Sequence, residues 1–371
     1  MSIRATISLC LGGLFLALGL SSPTPAQRVT QTNLVADSAG VAVNQDIFLI
    51  DAFGLARGTG TNWMVSSRGM ALGIVYDGAG NAQFIDVNIP PAVAGGLAQP
   101  TGVVFNGASS FNVPGSTPPT PAQFLFATAD GAIAAYNPTV DPSNAFIAVN
   151  KSATSSYTGL TIAEVTPGVF HLYAANFKKG RIEVFDGNFK PVAFESPCPE
   201  GESSEGLVPY NIQTLGRNLV ITFAARGSNG QVVAGSGLVM IAGVKGNVLK
   251  ILHDPSLNAP WGVAQAPADF GRLSHLVLIG NSGSGKISAF DPDRGRFVSF
   301  VEDSTGAAIV IDGLHALGFG ASGAASGDVG IFNQASGPFN ALYFTSGPRA
   351  GADGLLGNLI PNSSDFVLGE Q

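Results

Sequence analysis

An all-β fold made of repeated units is the fold class that the sequence predicts, and three observations favour it. The 371 residues include 49 Gly and 23 Pro, about a fifth of the chain, which is typical of a protein dense in turns. Apolar residues occur in short β-branched or aromatic runs rather than in long amphipathic helical patterns. The same order of strands recurs along the chain, so one unit is repeated.

Six copies of this unit follow one another in the sequence. Each copy starts with a small or aromatic residue, a Gly or its substitute and an apolar pair, and continues through a strand, a Gly turn and a further strand. Units of about 50 residues with three or four strands are typical of the blades of a β-propeller. We therefore predict a six-bladed β-propeller. The Gly positions of its six inner strands are Gly54, Gly102, Gly159, Asn211, Gly262 and Ala316.

Glycine at this position has a physical reason. The inner strands of all blades converge on the axis, where a side chain would collide with the neighbouring strand. Asn211 and Ala316 depart from the glycine pattern. The hairpins that follow also match between units, since the segment 172–186 has the same order of apolar, turn and aromatic-Asp positions as 276–291.

The two ends of the chain predict how the ring closes. In the sixth unit, 354–360 resembles a third strand, and no segment remains for a fourth. Residues 34–40 precede the first unit and resemble 300–306, which end the fifth unit. We therefore expect residues 29–36, which we call the clasp, to supply the outer strand of the last blade. Residues 27–371 would then form a single propeller domain.

Residues 1–26 have the features of an export signal. Arg4 precedes an apolar stretch over 7–20, and a polar, Pro-containing segment ends at Ala26. The apolar stretch is shorter than the roughly 20 residues of a membrane-spanning helix, so we expect no transmembrane anchor after cleavage. The predicted location is periplasmic or extracellular. Cleavage would leave Cys198 as the only thiol, in a Pro-flanked loop where we expect it to be inert.

The net charge and two motif-like segments argue against several kinds of ligand. The formal net charge of -7 argues against nucleic acid as a partner, because such binding needs clustered Lys and Arg. The segment 280–287 has the spacing of a phosphate-binding loop, but Ile287 replaces the hydroxyl residue, and a predicted strand follows instead of a helix. In 291–302, Gly295 and Arg296 are wrong for a calcium loop. We interpret both segments as hairpin turns.

Three segments of the chain carry a resemblance to known proteins. They are Asn33-Leu34-Val35 in the clasp, 174–186 with Phe189-Lys190-Pro191 after it, and 342–348. These segments resemble a family of uncharacterised exported bacterial proteins, which is similar in turn to NHL-type six-bladed propellers. The likeness covers nearly all of the chain after the signal. It implies an exported propeller and no particular activity.

Candidate site residues follow from the predicted fold. Propellers usually bind their ligands at one mouth of the axial channel, where loops from all blades converge. The candidate ligand-binding residues are therefore polar residues at or just before the inner strands. They are Asp51, Gln99, Asn211, Asn258, Asp312 and His315. His315 differs from the others because it occupies the position that Trp261 has in the fifth unit.

A metal site is one interpretation of three of these residues. Ile311-Asp312-Gly313 resembles the Asp-Gly segment of gluconolactonase-like propellers, in which oxygen ligands from several blades hold one divalent cation. The resemblance implies a site made of Asp51, Asn211 and Asp312, which would bind calcium or a similar hard cation. In the alternative interpretation, Asp312 and Asn211 make turn hydrogen bonds to backbone amides, and no cofactor is needed.

Two functions remain open from the sequence. The first is an exported, non-catalytic binding or interaction propeller of the cell envelope or extracellular space, with a small molecule, a glycan or a protein as its ligand. The absence of G-x-S-x-G, H-E-x-x-H and paired-Cys motifs favours it. The second is a divalent-metal-dependent lactonase or lyase that works at the axial mouth with Asp51, Asn211 and Asp312 as metal ligands.

Overall fold

Six β-sheets surround one axis in the computed structural model, which describes residues 28–199, 206–320 and 336–362 and, at 84 and 85, the backbone alone. Each sheet is one blade, and the inner strands of successive blades lie side by side around the ring. The all-β class and the six blades are thereby confirmed. The predicted export signal, 1–26, lies outside the described residues.

The first two strands of the chain belong to the last blade, and the next eight form blades 1 and 2. The last-blade strands are β1 (Val29–Ala36) and β2 (Asn44–Gln45). Blade 1 contains β3 (Ala52–Ala56), β4 (Trp63–Ser67), β5 (Leu72–Tyr76) and β6 (Ala82–Asn88). Blade 2 contains β7 (Pro100–Phe105), β8 (Phe124–Thr128), β9 (Ala132–Tyr136) and β10 (Phe146–Asn150).

The remaining strands complete the ring. Blade 3 contains β11 (Tyr157–Thr166), β12 (Val169–Asn176), β13 (Arg181–Phe185) and β14 (Pro191–Val192). Blade 4 contains β15 (Leu207–Leu215), β16 (Asn218–Arg226), β17 (Val232–Gly243) and β18 (Val248–Leu252). Blade 5 contains β19 (Pro260–Gln265), β20 (Val277–Asn281), β21 (Ile287–Asp291) and β22 (Arg296–Phe300). Blade 6 contains β23 (Leu314–Phe319), β24 (Leu342–Ser346), a short helix α1 (Pro348–Gly351) and β25 (Leu355–Pro361).

The clasp closes the ring as the sequence predicts. Strand β1 lies antiparallel to β25, with Val35 opposite Leu356. Val35 is fully buried, and the Thr30 hydroxyl donates a hydrogen bond to the Asn362 side-chain oxygen at 2.8 Å. One further feature was not predicted from the sequence. Strand β2 pairs in parallel with β1 and forms a fifth strand of the last blade.

Apolar layers between neighbouring blades hold the ring together. In the part of the chain that the structure describes, buried side chains form one cluster at each of the six blade interfaces. Between blades 5 and 6, for example, the cluster includes Phe270 and Ile287 from one blade and Leu342 and Phe344 from the other. A further cluster lies at the axis. The core is therefore a ring of layers, and each blade depends on both neighbours.

At the glycines of the Gly position, the inner strands of neighbouring blades approach too closely for a side chain. A Cβ atom on Gly262 would lie 2.5 Å from the His315 carbonyl oxygen of the next blade. In blade 4 the position is Asn211, whose side chain lies against Gly159 of blade 3 and occupies the space that a Cβ there would need. These contacts agree with the predicted reason for glycine at the inner strands.

Substitution of an inner-strand glycine should therefore destabilise the ring. We expect Gly262→Ala to lower the free energy of unfolding by about 1 to 3 kcal/mol, the usual cost of overpacking, because the new methyl group would press on a backbone carbonyl. Urea denaturation measures the effect. The matched control is Gly107→Ala, whose Cβ would make only an ordinary contact, 3.7 Å from the Phe105 ring. Equal stability of the two variants would contradict the packing at the axis.

Removal of the clasp should leave β25 with an unpaired edge. We expect a chain that starts at Asp37 to associate and to melt at a lower temperature than a chain that starts at Gln27, which keeps β1, because exposed strand edges pair with other chains. Light scattering and thermal denaturation measure the two effects. If the shorter chain stays monomeric and melts like the longer one, the clasp does not close the ring.

Candidate functional site

A β-bulge occurs at the start of the inner strand in every blade. The pairing between the inner strand and the second strand shifts register there in all six sheets. Such a bulge leaves a residue out of the ladder and changes the direction of its side chain. The residues that precede the Gly position at these bulges are Phe53, Thr101, Thr158, Tyr210, Trp261 and His315.

The large side chains at these bulges meet at the axis. Phe53 of blade 1 stacks on His315 of blade 6, with ring centroids 3.7 Å apart, and contacts the Trp261 ring of blade 5 edge-on at 5.1 Å. The Trp261 indole N–H donates to the Thr158 carbonyl oxygen of blade 3 at 3.0 Å. This bond joins two blades that are not neighbours. Together these residues form an aromatic plug across the axis.

Asp51 and Arg68 lie beside the plug at the front mouth, which we define as the end of the axis where the inner strands begin. The Arg68 Nε donates to Asp51 Oδ2 at 2.5 Å, and its guanidinium lies 5.0 Å from the centre of the Phe53 ring. The other carboxylate oxygen, Oδ1, is buried and has no hydrogen-bond partner among the described residues. Burial raises the pKa of Asp51, whereas the Arg68 charge opposes this shift.

His315 is a neutral imidazole with a defined tautomer. Its Nδ1 lies 3.2 Å from the Ala52 carbonyl oxygen, which only accepts hydrogen bonds, so Nδ1 carries the proton. Burial and the nearby Arg68 charge lower the pKa of His315 to about 3, although the bond to Ala52 opposes the shift. The ring therefore remains uncharged at neutral pH.

The structure places the three predicted metal ligands in two groups. Asp51 packs against Gly347 and Gly351, and the Asp312 carboxylate accepts the backbone N–H of Arg349 at 2.8 Å, so both acids border α1. The Asn211 side-chain amide instead donates to the Trp261 carbonyl oxygen at 2.8 Å. Within the described ranges, no group of three or more His, Cys, Asp or Glu side chains is arranged to hold a metal ion.

The other two predicted residues lie at the front mouth without joining this group. Gln99 is exposed. Asn258 is half-buried, and its side-chain oxygen accepts the backbone N–H of Gly235 at 2.6 Å. As with Asp312, a polar side chain that the sequence marks as a possible ligand satisfies a backbone amide of a neighbouring loop.

A cavity of about 390 Å³ opens on the other side of the plug, between the C-terminal halves of the inner strands. We call it the axial funnel. All six blades contribute to its wall, and Trp261 belongs to both the plug and the funnel. One lining residue from each blade in turn illustrates its character: Arg57, Phe105, Thr161, Gln213, Trp261 and Phe319.

Hydrogen bonds between blades fix the polar part of the funnel wall. The Thr161 and Thr214 hydroxyl oxygens lie 3.0 Å apart, and the Thr214 hydroxyl donates to the Ile162 carbonyl oxygen at 3.0 Å. These bonds join blade 3 to blade 4. Asn211 also lines the funnel, and its bond to Trp261 joins blade 4 to blade 5. The polar part of the funnel wall is therefore preformed.

Among the described residues that line the funnel, Arg57 is the only ionisable one. Its Nε donates to the Phe319 carbonyl oxygen at 2.8 Å, and its Nη2 donates to the Gly320 carbonyl oxygen at 3.0 Å. The guanidinium lies 5.5 Å from the centre of the Trp63 ring. Burial lowers the pKa of Arg57, which nevertheless stays charged at neutral pH.

The plug and the funnel were not predicted from the sequence. The predicted site residues are polar and lie at or just before the starts of the inner strands, whereas the cavity lies at the opposite ends of those strands. A signal was present, because four of the six residues that precede the Gly position are aromatic: Phe53, Tyr210, Trp261 and His315. Arg57 carried no comparable signal, since a single cation at a strand end is an ordinary surface feature.

Comparison with known proteins finds relatives without an assigned activity. No protein-family model matches the chain. Two uncharacterised proteins of Acanthamoeba polyphaga mimivirus are 27% and 29% identical to it over 338 and 339 residues. Each alignment covers 88% of this chain, and they cover 78% and 84% of the respective relatives. Since both relatives are viral, the predicted bacterial and exported character of the family remains a prediction.

Solved structures agree with the fold. The chain resembles a virginiamycin B lyase from Staphylococcus aureus, with a TM-score of 0.50 and 12% identity, over 90% of this chain and 99% of the lyase. It also resembles a gluconolactonase from Xanthomonas campestris, with a TM-score of 0.51 and 12% identity, over 91% of this chain and 95% of that enzyme. At this identity the likeness supports the propeller fold alone.

The buried His315 should make stability depend on pH. The folded state keeps the imidazole neutral down to about pH 3, whereas the unfolded chain takes up a proton near pH 6.5. Because the unfolded state then binds the extra proton, stability should fall as the pH drops below 6.5, by at most about 1.4 kcal/mol per pH unit. His315→Phe keeps a ring beside Phe53 and removes the titrating group.

Urea denaturation of both proteins between pH 7.5 and 4.5 measures this dependence. The other ionisable groups are shared, so their contributions largely cancel in the difference between the two proteins. We expect the variant to gain stability relative to the parent protein as the pH falls. A difference that does not change with pH would contradict a buried, neutral His315.

Proposed function

We propose that this protein is an exported, non-catalytic binding propeller whose small-molecule ligand occupies the axial funnel. The observation that carries the proposal is a preformed cavity of about 390 Å³ to which all six blades contribute and whose wall includes Trp261 of the axial plug. Ligand sites in proteins are usually concave, largely preformed and of about this size.

The chemistry of the funnel wall supports a small ligand with both apolar and polar faces. Trp63, Phe105, Trp261 and Phe319 supply aromatic surface, and threonine hydroxyls and side-chain amides supply hydrogen-bonding groups. The described residues of the funnel hold no Asp, Glu, His or Cys, so the wall lacks the usual acids, bases and nucleophiles of catalysis. A binding role therefore suits the funnel better than a reaction.

Export and the kind of partner are part of the same proposal. The features of residues 1–26 support export to the periplasm or the extracellular space. Within the described residues, no helix has the length and apolar character that a membrane crossing requires. The net charge of -7 supports a small molecule, a glycan or a protein over nucleic acid as the ligand.

The two tryptophans of the chain provide a direct test, because both line the funnel. We expect some members of a panel of monosaccharides and cyclohexane derivatives to shift the tryptophan emission and to raise the melting temperature. Gln213→Phe should abolish these effects by filling the funnel. The matched control, Gln83→Phe, lies in β6 of blade 1 and should leave them unchanged. Ligand effects that survive Gln213→Phe, or a panel without any effect, would count against the proposal.

A metal-dependent lactonase or lyase at the front mouth is the second candidate function. It is favoured by the buried Oδ1 of Asp51, which has no hydrogen-bond partner among the described residues and lies next to the α1 turn that Asp312 also borders. Asp51 and Asp312 would then hold calcium or a similar cation, which would polarise a substrate carbonyl, whereas Asn211 lies in the other group and donates to Trp261. Elemental analysis distinguishes the candidates, since only this one expects one divalent ion per chain that is lost on Asp312→Ala.

A further inference from the structure

We infer that the ligand of the axial funnel carries a carboxylate, which Arg57 binds through two parallel hydrogen bonds. The inference rests on the proposed function and specifies the class of ligand: a small organic acid with a ring or another compact apolar body. Three features of Arg57 carry it. They are the geometry of its donors, the lack of a counter-charge among the described residues and its aromatic surroundings.

The donors of Arg57 are only partly used. A guanidinium has five N–H groups in a rigid plane, and two of its edges each present two of them in parallel. The edge formed by Nε and Nη2 donates to two carbonyl oxygens of blade 6, those of Phe319 and Gly320. Nη1 makes no hydrogen bond to a described residue, so the edge formed by Nη1 and Nη2 remains available. That edge has the spacing of a carboxylate, which accepts both hydrogen bonds at once.

The carbonyl contacts also fix the position of this edge. They connect blade 1 to blade 6, so the Arg57 side chain is held in place without a ligand. A donor pair that is already oriented loses less conformational entropy when a ligand binds than a free side chain would.

The charge of Arg57 has no compensation in the described part of the protein. Its neighbours Phe319 and Gly320 offer carbonyl dipoles, and none of the described carboxylates forms an ion pair with it. By contrast, Arg68 at the front mouth is paired with Asp51. A partly buried cation that lacks a counter-charge attracts an anion strongly, because the surroundings screen the interaction less than water does.

The aromatic surroundings determine the rest of the ligand. Arg57 lies over the Trp63 ring, and Phe105 and Phe319 line the same cavity. An inorganic ion would leave these apolar surfaces exposed to water. An acid with a ring would bury them while its carboxylate reaches Arg57.

Pairs of probes that differ only in charge test the inference. Cyclohexanecarboxylate is compared with cyclohexanecarboxamide, and galacturonate with galactose, by titration calorimetry and tryptophan fluorescence of the full chain. We expect at least one acid to bind about tenfold or more tightly than its neutral partner at low salt. Arg57→Gln should remove this preference and leave the affinity for the neutral partner within about twofold. Arg57→Lys should restore only part of it, because a lysine has no paired donors.

Each other outcome overturns the inference in a recognisable way. One such outcome is that neutral probes bind and are blocked by Gln213→Phe while acids show no preference. In that case the proposed function stands and the inferred carboxylate is wrong. If no probe binds in the funnel, both the proposed function and the carboxylate inference are wrong. If cyclohexyl phosphate binds more tightly than cyclohexanecarboxylate, the acidic group of the ligand is a phosphate and not a carboxylate. An increase in acid affinity on Asp328→Asn would identify the partner of Arg57 as a carboxylate of the chain itself, at a position outside the described residues.

Discussion

The close approach of six inner strands around one axis is the constraint on which the rest of the structure depends. At the Gly position, a Cβ atom would meet the backbone of the neighbouring blade, as at Gly262 and His315. Small residues therefore set the diameter of the ring, and the diameter sets how the blade faces meet. The six apolar layers between the blades can close only at this spacing, because packed interiors tolerate neither gaps nor extra volume.

The same constraint explains the contents of the axis. Each inner strand carries a bulge beside the Gly position, and the side chain at the bulge is released from the ladder. Where that side chain is aromatic, it fills the space that the converging strands leave open. The result is a channel divided into two compartments of different character. At the front mouth the charges of Asp51 and Arg68 compensate each other, whereas Arg57 is the one charged side chain among the described residues that line the funnel.

The fold could be predicted because its sequence features recur from unit to unit. Six Gly positions and matching hairpins established the blades, and the likeness of 34–40 to 300–306 located the strand that closes the ring. The site is not periodic. Asn211, a predicted metal ligand, donates to the Trp261 carbonyl oxygen and so connects two blades, a contact that no repeated pattern indicates.

The funnel was missed for a related reason. Its wall combines residues from all six units, so no short motif encodes it. A bulge is also invisible in the alternation of apolar residues, because it depends on the pairing of two strands. The sequence therefore could not show that the side chains of Phe53, Trp261 and His315 meet at the axis.

The clasp has a consequence for the order of folding. Strand β1 is synthesised long before its partner β25, since Thr30 and Asn362, which share a hydrogen bond, are 332 residues apart. Contacts between positions so far apart in sequence form slowly, because the entropy cost of closing a long loop comes before any stabilising contact. Blades 1 to 5 therefore have to remain folded as an open arc until β1 pairs with β25. The interval between synthesis and ring closure is when this protein is most exposed to association with other chains.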